Sequence, residues 1–222
     1  MDEGIKWDAD QAIQIAIALS RLIRPTSVSG DYAARIERNE AYLRIIPAGV
    51  RTQSYVLDTS TPPWLSQVEA EQLMVLVERY RILAGELGAT SRLGTALWFA
   101  EHGAHNFYVE IRLLHAVTGL EALLNTSGDQ ATKQFTTRLA SLASELGFTM
   151  SKTQASKIYE ARSEASHGMP AVLGPDQAKR DKSAERLDLI EAVLRAAVRR
   201  GLEDDDFRAA LSSAGGVEDR WG

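Results

Sequence analysis

From Ser66 onward the chain is a succession of amphipathic segments, each opened by a capping residue and closed near a glycine or proline. Ser66-Gln-Val-Glu69 and Ser151-Lys-Thr-Gln154 have capping-box spacing, in which the first and fourth residues satisfy each other's backbone amides. Within the segments, apolar residues recur at helical intervals. The longest segment runs from about residue 106 to 125 and is expected at the centre of the core. Helices of this kind must bury their apolar faces against one another.

The pattern predicts an all-α bundle of about five to seven helices over residues 64–211. Residues 1–63 form a small N-terminal extension, in which residues 8–23 predict a helix. Residues 41–57 suggest a short β-hairpin turning at 47–49, and a helix through 31–46 is the alternative. The stretch DTSTPP is the candidate boundary between extension and bundle. Residues 212–222 are expected to be a flexible tail.

Composition bounds the possible functions. The 222 residues are 45% hydrophobic, which is ample for a packed core, and none is cysteine. The lack of cysteine excludes disulfides, thiolate metal sites and a cysteine nucleophile. There is no apolar run long enough to cross a membrane, and the acidic N-terminus lacks a signal-peptide pattern. We therefore expect a cytoplasmic protein without a membrane partner.

The net charge of −5 argues against a broadly basic nucleic-acid-binding surface. The charge is unevenly distributed, however. In residues 130–202, Lys and Arg outnumber Asp and Glu by four. Local contact with phosphates is therefore expected in this part of the chain, although helical proteins commonly show such fluctuations.

The segment 151–168 places Arg162 in the last two turns of a predicted helix and His167 at its end, before Gly168 and Pro170. Five residues correspond to about 500° of rotation, so the two side chains point ~140° apart on an ideal helix. They can converge on one phosphate if the helix end unwinds or if a second copy supplies the other half. The alternative is a surface arginine and a histidine that favours the negative end of the helix dipole.

Three blocks of sequence carry a family resemblance. Residues 159–168, YEARSEASHG, resemble the YxxRSxxxHG signature of the HEPN superfamily, in particular its Apea-like branch. Residues 113–124 resemble the "LEaLl" helix of that branch, and residues 135–142 resemble its "l..Ria.ll" helix. The order and spacing of the blocks match, and the resemblance covers about residues 64–202.

The resemblance implies a metal-independent endoribonuclease that acts as a homodimer on RNA, with no cofactor. The ribose 2′-OH attacks the adjacent phosphorus, leaving a 2′,3′-cyclic phosphate and a 5′-OH. Arg162 would grip the phosphate and His167 would exchange the proton. Supporting positions follow the same segment: Ser163, Glu164 and Ser166 to orient the pair, and Tyr159 to pack beneath Arg162.

Such enzymes often belong to defence or toxin–antitoxin systems, so an antitoxin or a defence-system partner is expected. In toxins regulated by adenylylation a tyrosine follows the histidine by two residues, and Met169 stands there in this chain. That form of control is therefore not expected. Two alternatives remain open: a non-catalytic HEPN module that binds RNA, a nucleotide or a partner protein, and a purely structural helical adaptor.

Three other histidines have weaker claims to a function. His102 and His105 have metal-ligand spacing beside Glu101, but Gly103 is expected to break the helix between them and no matching carboxylate pair follows. Two surface histidines in a loop are the better interpretation. His115 is expected to be partly buried and hydrogen-bonded.

Glu121 lies inside the second block, in a predicted buried helix. Buried acids are rarely unpaired, and Arg138 and Arg162 are its candidate partners. The tryptophans are expected to contribute to packing rather than to base stacking: Trp64, Trp98 and Trp221.

Overall fold

A computed structural model describes residues 9–25, 33–38, 43–48, 65–88, 91–106, 108–126, 128–166 and 177–222. The regular secondary structure among these residues is helical apart from one hairpin, which confirms the prediction of a helical bundle. The α-helices are α1 Ala9–Ile23, α2 Gln67–Leu83, α3 Arg92–Ala104, α4 Val109–Leu124, α5 Ala131–Glu145, α6 Lys152–Ser166, α7 Gln177–Glu203, α8 Asp205–Ser212 and α9 Ala214–Trp221. None of the described helices has the length and apolarity needed to traverse a bilayer.

Helix α4 is the centre of the bundle, as its apolar composition predicts. It packs against α3, α5, α6 and α7. Val117, Leu120 and Leu123 are fully buried. A Cβ on Gly119 would lie 3.2 Å from side-chain atoms of Phe99 and Leu194, so this glycine lets α4 approach α3 and α7 closely.

The first turn of α4 faces differently from the prediction. Ile111 has the helical spacing of the apolar residues in this segment, which predicts burial, but it is 41% exposed, whereas its neighbour Arg112 is only 5% exposed. Arg112 donates through Nε and Nη2 to the two carboxylate oxygens of Glu191 on α7, at 2.8 and 2.6 Å. This bidentate ion pair satisfies a buried guanidinium, and Ile111 is left on the solvent side.

Both predicted capping boxes are confirmed. At the start of α2, the side chains of Ser66 and Glu69 each accept from the other's backbone amide. At the start of α6, Ser151 Oγ accepts from the Gln154 amide at 3.2 Å, and Gln154 Oε1 accepts from the Ser151 amide at 2.8 Å. Each box satisfies amide donors that a helix cannot satisfy internally.

The hairpin is present, but its strands are not where the sequence placed them. Strands β1 (Ala33–Arg38) and β2 (Leu43–Ala48) are antiparallel, with Ile36 opposite Ile45. The expected turn at 47–49 therefore falls at the end of β2, and the alternative helix through 31–46 is wrong. The polar composition of residues 35–40 concealed the first strand. The predicted boundary at 58–63 lies outside the described residues.

The C-terminal residues differ most from the prediction. Residues 212–222, expected as a flexible tail, contain α9, whose Val217 is fully buried and whose Trp221 is 2% exposed. The Trp221 indole donates to Glu145 Oε2 at 2.8 Å, and its ring lies 5.3 Å from that of Phe207. Val217 and Trp221 are four residues apart and so share one face of the helix. That spacing is the signal the sequence interpretation missed.

Helix α1 of the N-terminal extension packs on α2 and α7. Its Leu19 is fully buried and its Leu22 is 4% exposed. These side chains belong to the same hydrophobic core as α4, so α1 is packed on the bundle, as predicted.

Candidate functional site

Helix α6 is held in place by α4 and α5. Its Ala155 and Ile158 are buried in the core. Its Tyr159 ring lies 5.0 Å from the buried Phe135 ring of α5, in a tilted arrangement. This packing fixes the turn that follows, which carries Arg162.

Arg162 forms an ion pair with Glu121 in the last turn of α4. Its Nη2 lies 3.2 Å from Glu121 Oε2, and the two side chains are 29% and 17% exposed. Of the two partners predicted for Glu121, the structure therefore has Arg162. The pair connects the block at residues 113–124 to the block at residues 159–168.

Arg138, the other candidate partner, holds the end of α4 instead. Its Nη1 donates to the carbonyl oxygens of Leu124 and Asn125 at 2.8 and 2.9 Å. Its Nη2 pairs with Glu218 of α9. Helix C-termini leave carbonyl groups without intrahelical partners, and a cation there is favourable. Arg138 thus fixes the last turn of α4, the turn that presents Glu121.

Tyr159 connects the same groups. Glu121 and Thr132 lie close enough to its hydroxyl to affect its acidity. Burial raises the pKa of Tyr159, and Glu121 raises it further, against the opposing effects of Arg162 and Thr132. The Arg162 guanidinium carbon lies 5.8 Å from the centre of the Tyr159 ring, within cation–π distance. Tyr159 is therefore protonated at neutral pH and supports both charged groups.

Arg162 retains hydrogen-bonding capacity. A guanidinium has five N–H donors. Within the described part of the chain, its hydrogen bond is to Glu121, and its Nε is buried without a partner there. The group therefore has donors left for a further oxygen acceptor, and a phosphate presents paired oxygens of suitable geometry.

The remaining predicted site residues are less closely connected to Arg162. Ser163 is half-buried, and Glu164 and Ser166 are exposed. The Ser166 hydroxyl donates to the Ser163 carbonyl at 2.8 Å, so it closes the last turn of α6 locally. His167 lies outside the described residues.

The histidines of α3 do not form a metal site. No group of three or more His, Cys, Asp or Glu side chains suited to a metal occurs within the described ranges. His105 Nε2 lies 2.9 Å from Glu101 Oε1, while His102 stacks on Trp98 with ring centres 3.7 Å apart. Trp98 is 51% exposed but packs against the rings of His102 and Phe99, Trp221 is buried, and Trp64 lies outside the described residues.

The expectation that α3 ends between His102 and His105 is confirmed, although the end comes one residue after Gly103. The helix continues to Ala104, and Gly103 is buried inside it. A Cβ at Gly103 would lie 3.3 Å from the Cβ of His115, so the glycine allows α3 to approach α4. His115 is partly buried, as predicted, and its Nδ1 lies 3.4 Å from the amide nitrogen of Asn106.

Two parts of the site were not predicted. One is the proximity of Thr132 to Tyr159, which lowers the pKa of the phenol. The other is the contact between Arg138 and Glu218, which are 80 residues apart. No local pattern connects such distant positions, so the sequence offered no signal for them.

Comparison of the chain with protein-family models, curated proteins and solved structures gives no significant match. The argument for a function therefore depends on the residues themselves and on how they surround Arg162.

Proposed function

We propose that the protein is a metal-independent endoribonuclease of the HEPN type, with Arg162 and His167 as its catalytic residues. The observation that carries the proposal is the partial engagement of Arg162. The guanidinium is oriented by one ion pair with Glu121 through Nη2, and the other N–H groups of its terminal nitrogens have no hydrogen bond within the described residues. An arginine held in this way can bind a phosphate through two parallel hydrogen bonds.

The reaction divides into two proton transfers and one displacement. The 2′-oxygen of a ribose bonds to the adjacent phosphorus while the bond from phosphorus to the 5′-oxygen breaks. His167 accepts the 2′-hydroxyl proton, and a protonated imidazole returns a proton to the leaving 5′-oxygen. Arg162 stabilises the negative charge that develops on the phosphoryl oxygens. Glu121 and Tyr159 orient Arg162 and take no part in proton transfer.

The proposed assembly is a homodimer in which both copies of α6 line one cleft. Two copies supply two imidazoles, one to accept and one to donate a proton. They also compensate for the ~140° divergence of Arg162 and His167 on one helix. The proposed setting is a defence or toxin–antitoxin system, with an antitoxin or defence protein as the partner.

Cleavage of labelled single-stranded RNA in EDTA tests the proposal, with detection of 2′,3′-cyclic phosphate ends. We expect Arg162→Ala and His167→Ala each to reduce the rate by about 10²–10⁴-fold. Arg162→Lys should also be impaired, because an ammonium group lacks the planar pair of donors. Lys133→Ala is the matched control, since it removes an exposed cation from the neighbouring helix α5 and should retain activity.

The decisive comparison uses the purified Arg162→Ala/His167→Ala double variant. Cleavage by this variant at the wild-type rate would show that the activity lies elsewhere.

A second candidate function is a non-catalytic HEPN module that binds RNA, a nucleotide or a partner protein. It is favoured by the ion pair itself, since Arg162 at 29% exposure can serve a structural role. RNA binding without cleavage by the wild-type protein would support that alternative.

A further inference from the structure

A second cluster of charged side chains lies at the opposite end of α4 from Glu121. It surrounds a cavity of about 40 Å³ between α1, α3, α4 and α7. The charged residues that line it are Arg21, Arg112, Arg195, Glu101 and Glu191. Among the described residues of the wall, three cations and two anions leave one surplus positive charge, and the side chain of Arg195 is 19% exposed. Buried charges are normally balanced, so the surplus requires an explanation.

Arg195 carries the surplus. Both carboxylate oxygens of Glu191 already accept short hydrogen bonds from Arg112. Arg195 Nη1 lies 3.6 Å from Glu191 Oε2, beyond hydrogen-bond distance, and this is its one ion pair within the described ranges. Burial lowers the pKa of Arg195, and Arg112 lowers it further, while Glu191 and the exposed Asp188 oppose this. A negatively charged group in the cavity would offset this unfavourable burial.

Glu101, by contrast, has an acceptor oxygen that needs a hydrogen-bond donor. Its Oε1 accepts from Arg21 and lies 2.9 Å from His105 Nε2, whereas its Oε2 is buried with no hydrogen-bond partner among the described residues. Burial raises the pKa of Glu101, but the hydrogen bond from His105 and the charge of Arg21 outweigh it, and the net direction is downward. Glu101 is therefore an ionised acceptor that lacks a donor for one oxygen.

The size and remaining walls of the cavity limit what can fill it. A volume of about 40 Å³ accommodates roughly three water-sized groups. Apolar side chains complete the wall, among them Leu22, Leu97 and Leu194, and the exposed Pro25 lies at its edge. Water alone would satisfy Glu101 but would leave the positive charge unbalanced.

We propose that this cavity binds a small oxyanion that carries an O–H group. Its charged oxygens would accept from Arg195, and its hydroxyl would donate to Glu101 Oε2. Monohydrogen phosphate and bicarbonate are the simplest ions of this class. The site is separate from Arg162, and the inference does not depend on ribonuclease activity.

The proposal is tested by thermal unfolding in the presence of phosphate, bicarbonate or sulfate. The buffer is HEPES at pH 7.5, and sodium chloride keeps the ionic strength constant. Phosphate or bicarbonate should raise the midpoint temperature of unfolding, and the rise should saturate with concentration. At ten times the dissociation constant of the ion, the rise should be about 3 °C or more. Sulfate has the tetrahedral shape of phosphate but no proton at this pH, so it should do no more than chloride. Equal shifts with sulfate and phosphate would overturn the proposal. So would the lack of a saturable shift with both phosphate and bicarbonate.

Matched variants test the assignment to these two residues. Arg195→Met should abolish the shift. Arg199→Met, one turn further along α7 and paired with Glu203, should retain it. Glu101→Gln introduces an amide donor, so sulfate should become as effective as phosphate.

If Arg195→Met does not fold, Ala18→Leu provides the test, because Ala18 lines the cavity and a larger side chain would fill it. A wild-type response in Ala18→Leu, in Arg195→Met or in Glu101→Gln would contradict the assignment.

Discussion

At the scale of single residues, the candidate site depends on how one guanidinium is shared. Glu121 takes one nitrogen of Arg162, and Tyr159 contacts both groups. A fully exposed arginine would be mobile, and a fully paired one would have no donors to offer. The observed intermediate exposure combines a defined orientation with unused hydrogen-bonding capacity.

Glu121→Gln removes the negative charge of this residue but keeps the size and shape of its side chain. The variant removes the ion pair with Arg162, and we expect the free energy of unfolding to fall by about 1 kcal/mol, because the pair is partly exposed. The pKa of Tyr159 should fall as well, since the charge of Glu121 helps to raise it. Phenolate absorbance, compared with that of Tyr159→Phe, measures this. Glu160→Gln is the control on the exposed face of α6. An unchanged Tyr159 titration in Glu121→Gln would rule out this coupling.

The protonation of His115 makes the free energy of unfolding depend on pH. Burial lowers its pKa, and the nearby His102 lowers it further, so the folded state binds the proton less tightly than the unfolded state. Stability is therefore complete above the ordinary histidine pKa of about 6.5 and decreases as pH falls below it. Urea unfolding at several pH values between 7.5 and 5 should show this decrease. His115→Asn should have a shallower dependence over the same range, and an identical slope would contradict the assignment.

At the scale of elements, α9 connects the C-terminal part of the chain to the site. Its Glu218 pairs with Arg138, which in turn holds the end of α4. Its Trp221 packs on Phe207 and hydrogen-bonds to Glu145 of α5. The helix therefore contributes both to the core and to the position of Glu121.

Trp221→Ala measures the contribution of α9 to the core. Removal of a buried tryptophan side chain typically costs about 3–5 kcal/mol, and we expect a loss of that size in chemical unfolding. Asp219→Ala changes an exposed position of the same helix and should stay within about 0.5 kcal/mol of wild type. A loss below about 1 kcal/mol for Trp221→Ala would mean that α9 does not support the bundle.

Local signals account for what could be predicted. The capping boxes at Ser66 and Ser151 and the apolar face of α4 depend on residues three or four positions apart, and the structure has them. The pairing of Arg112 with Glu191 joins residues 79 positions apart, and it reversed the expected burial of Ile111. Tertiary pairing of this kind has no counterpart in sequence periodicity. The pair of Glu121 with Arg162 was among the predicted alternatives, whereas the contact of Arg138 with Glu218 that holds the end of α4 was not.

At the scale of the whole molecule, we expect a symmetric homodimer with α6 near the two-fold axis. The exposed face of α6 is polar and includes Lys157, Glu160 and Glu164. The large exposed apolar side chains of α2 lie elsewhere: Val68, Met74, Val75 and Ile82. The proposed interface is therefore polar, and its stability should depend on charge.

Light scattering at micromolar concentration should give a mass near twice the 24.3 kDa of one chain. Glu160→Arg should weaken the dimer and the ribonuclease activity together, because it reverses a charge beside the proposed axis. Val75→Asp on α2 is the control and should leave the mass unchanged. A monomeric mass with full activity would remove the dimer from the mechanism.

The central position of α4 has a consequence for the order in which parts of the molecule open. A helix enclosed by α3, α5, α6 and α7 cannot expose its backbone amides until those neighbours separate, so its amide hydrogens should exchange with solvent only during global unfolding. Helices with fewer neighbours can open and close many times while α4 remains intact. Glu121 lies in the last turn of α4, so the ion pair should anchor Arg162 to a slowly exchanging helix.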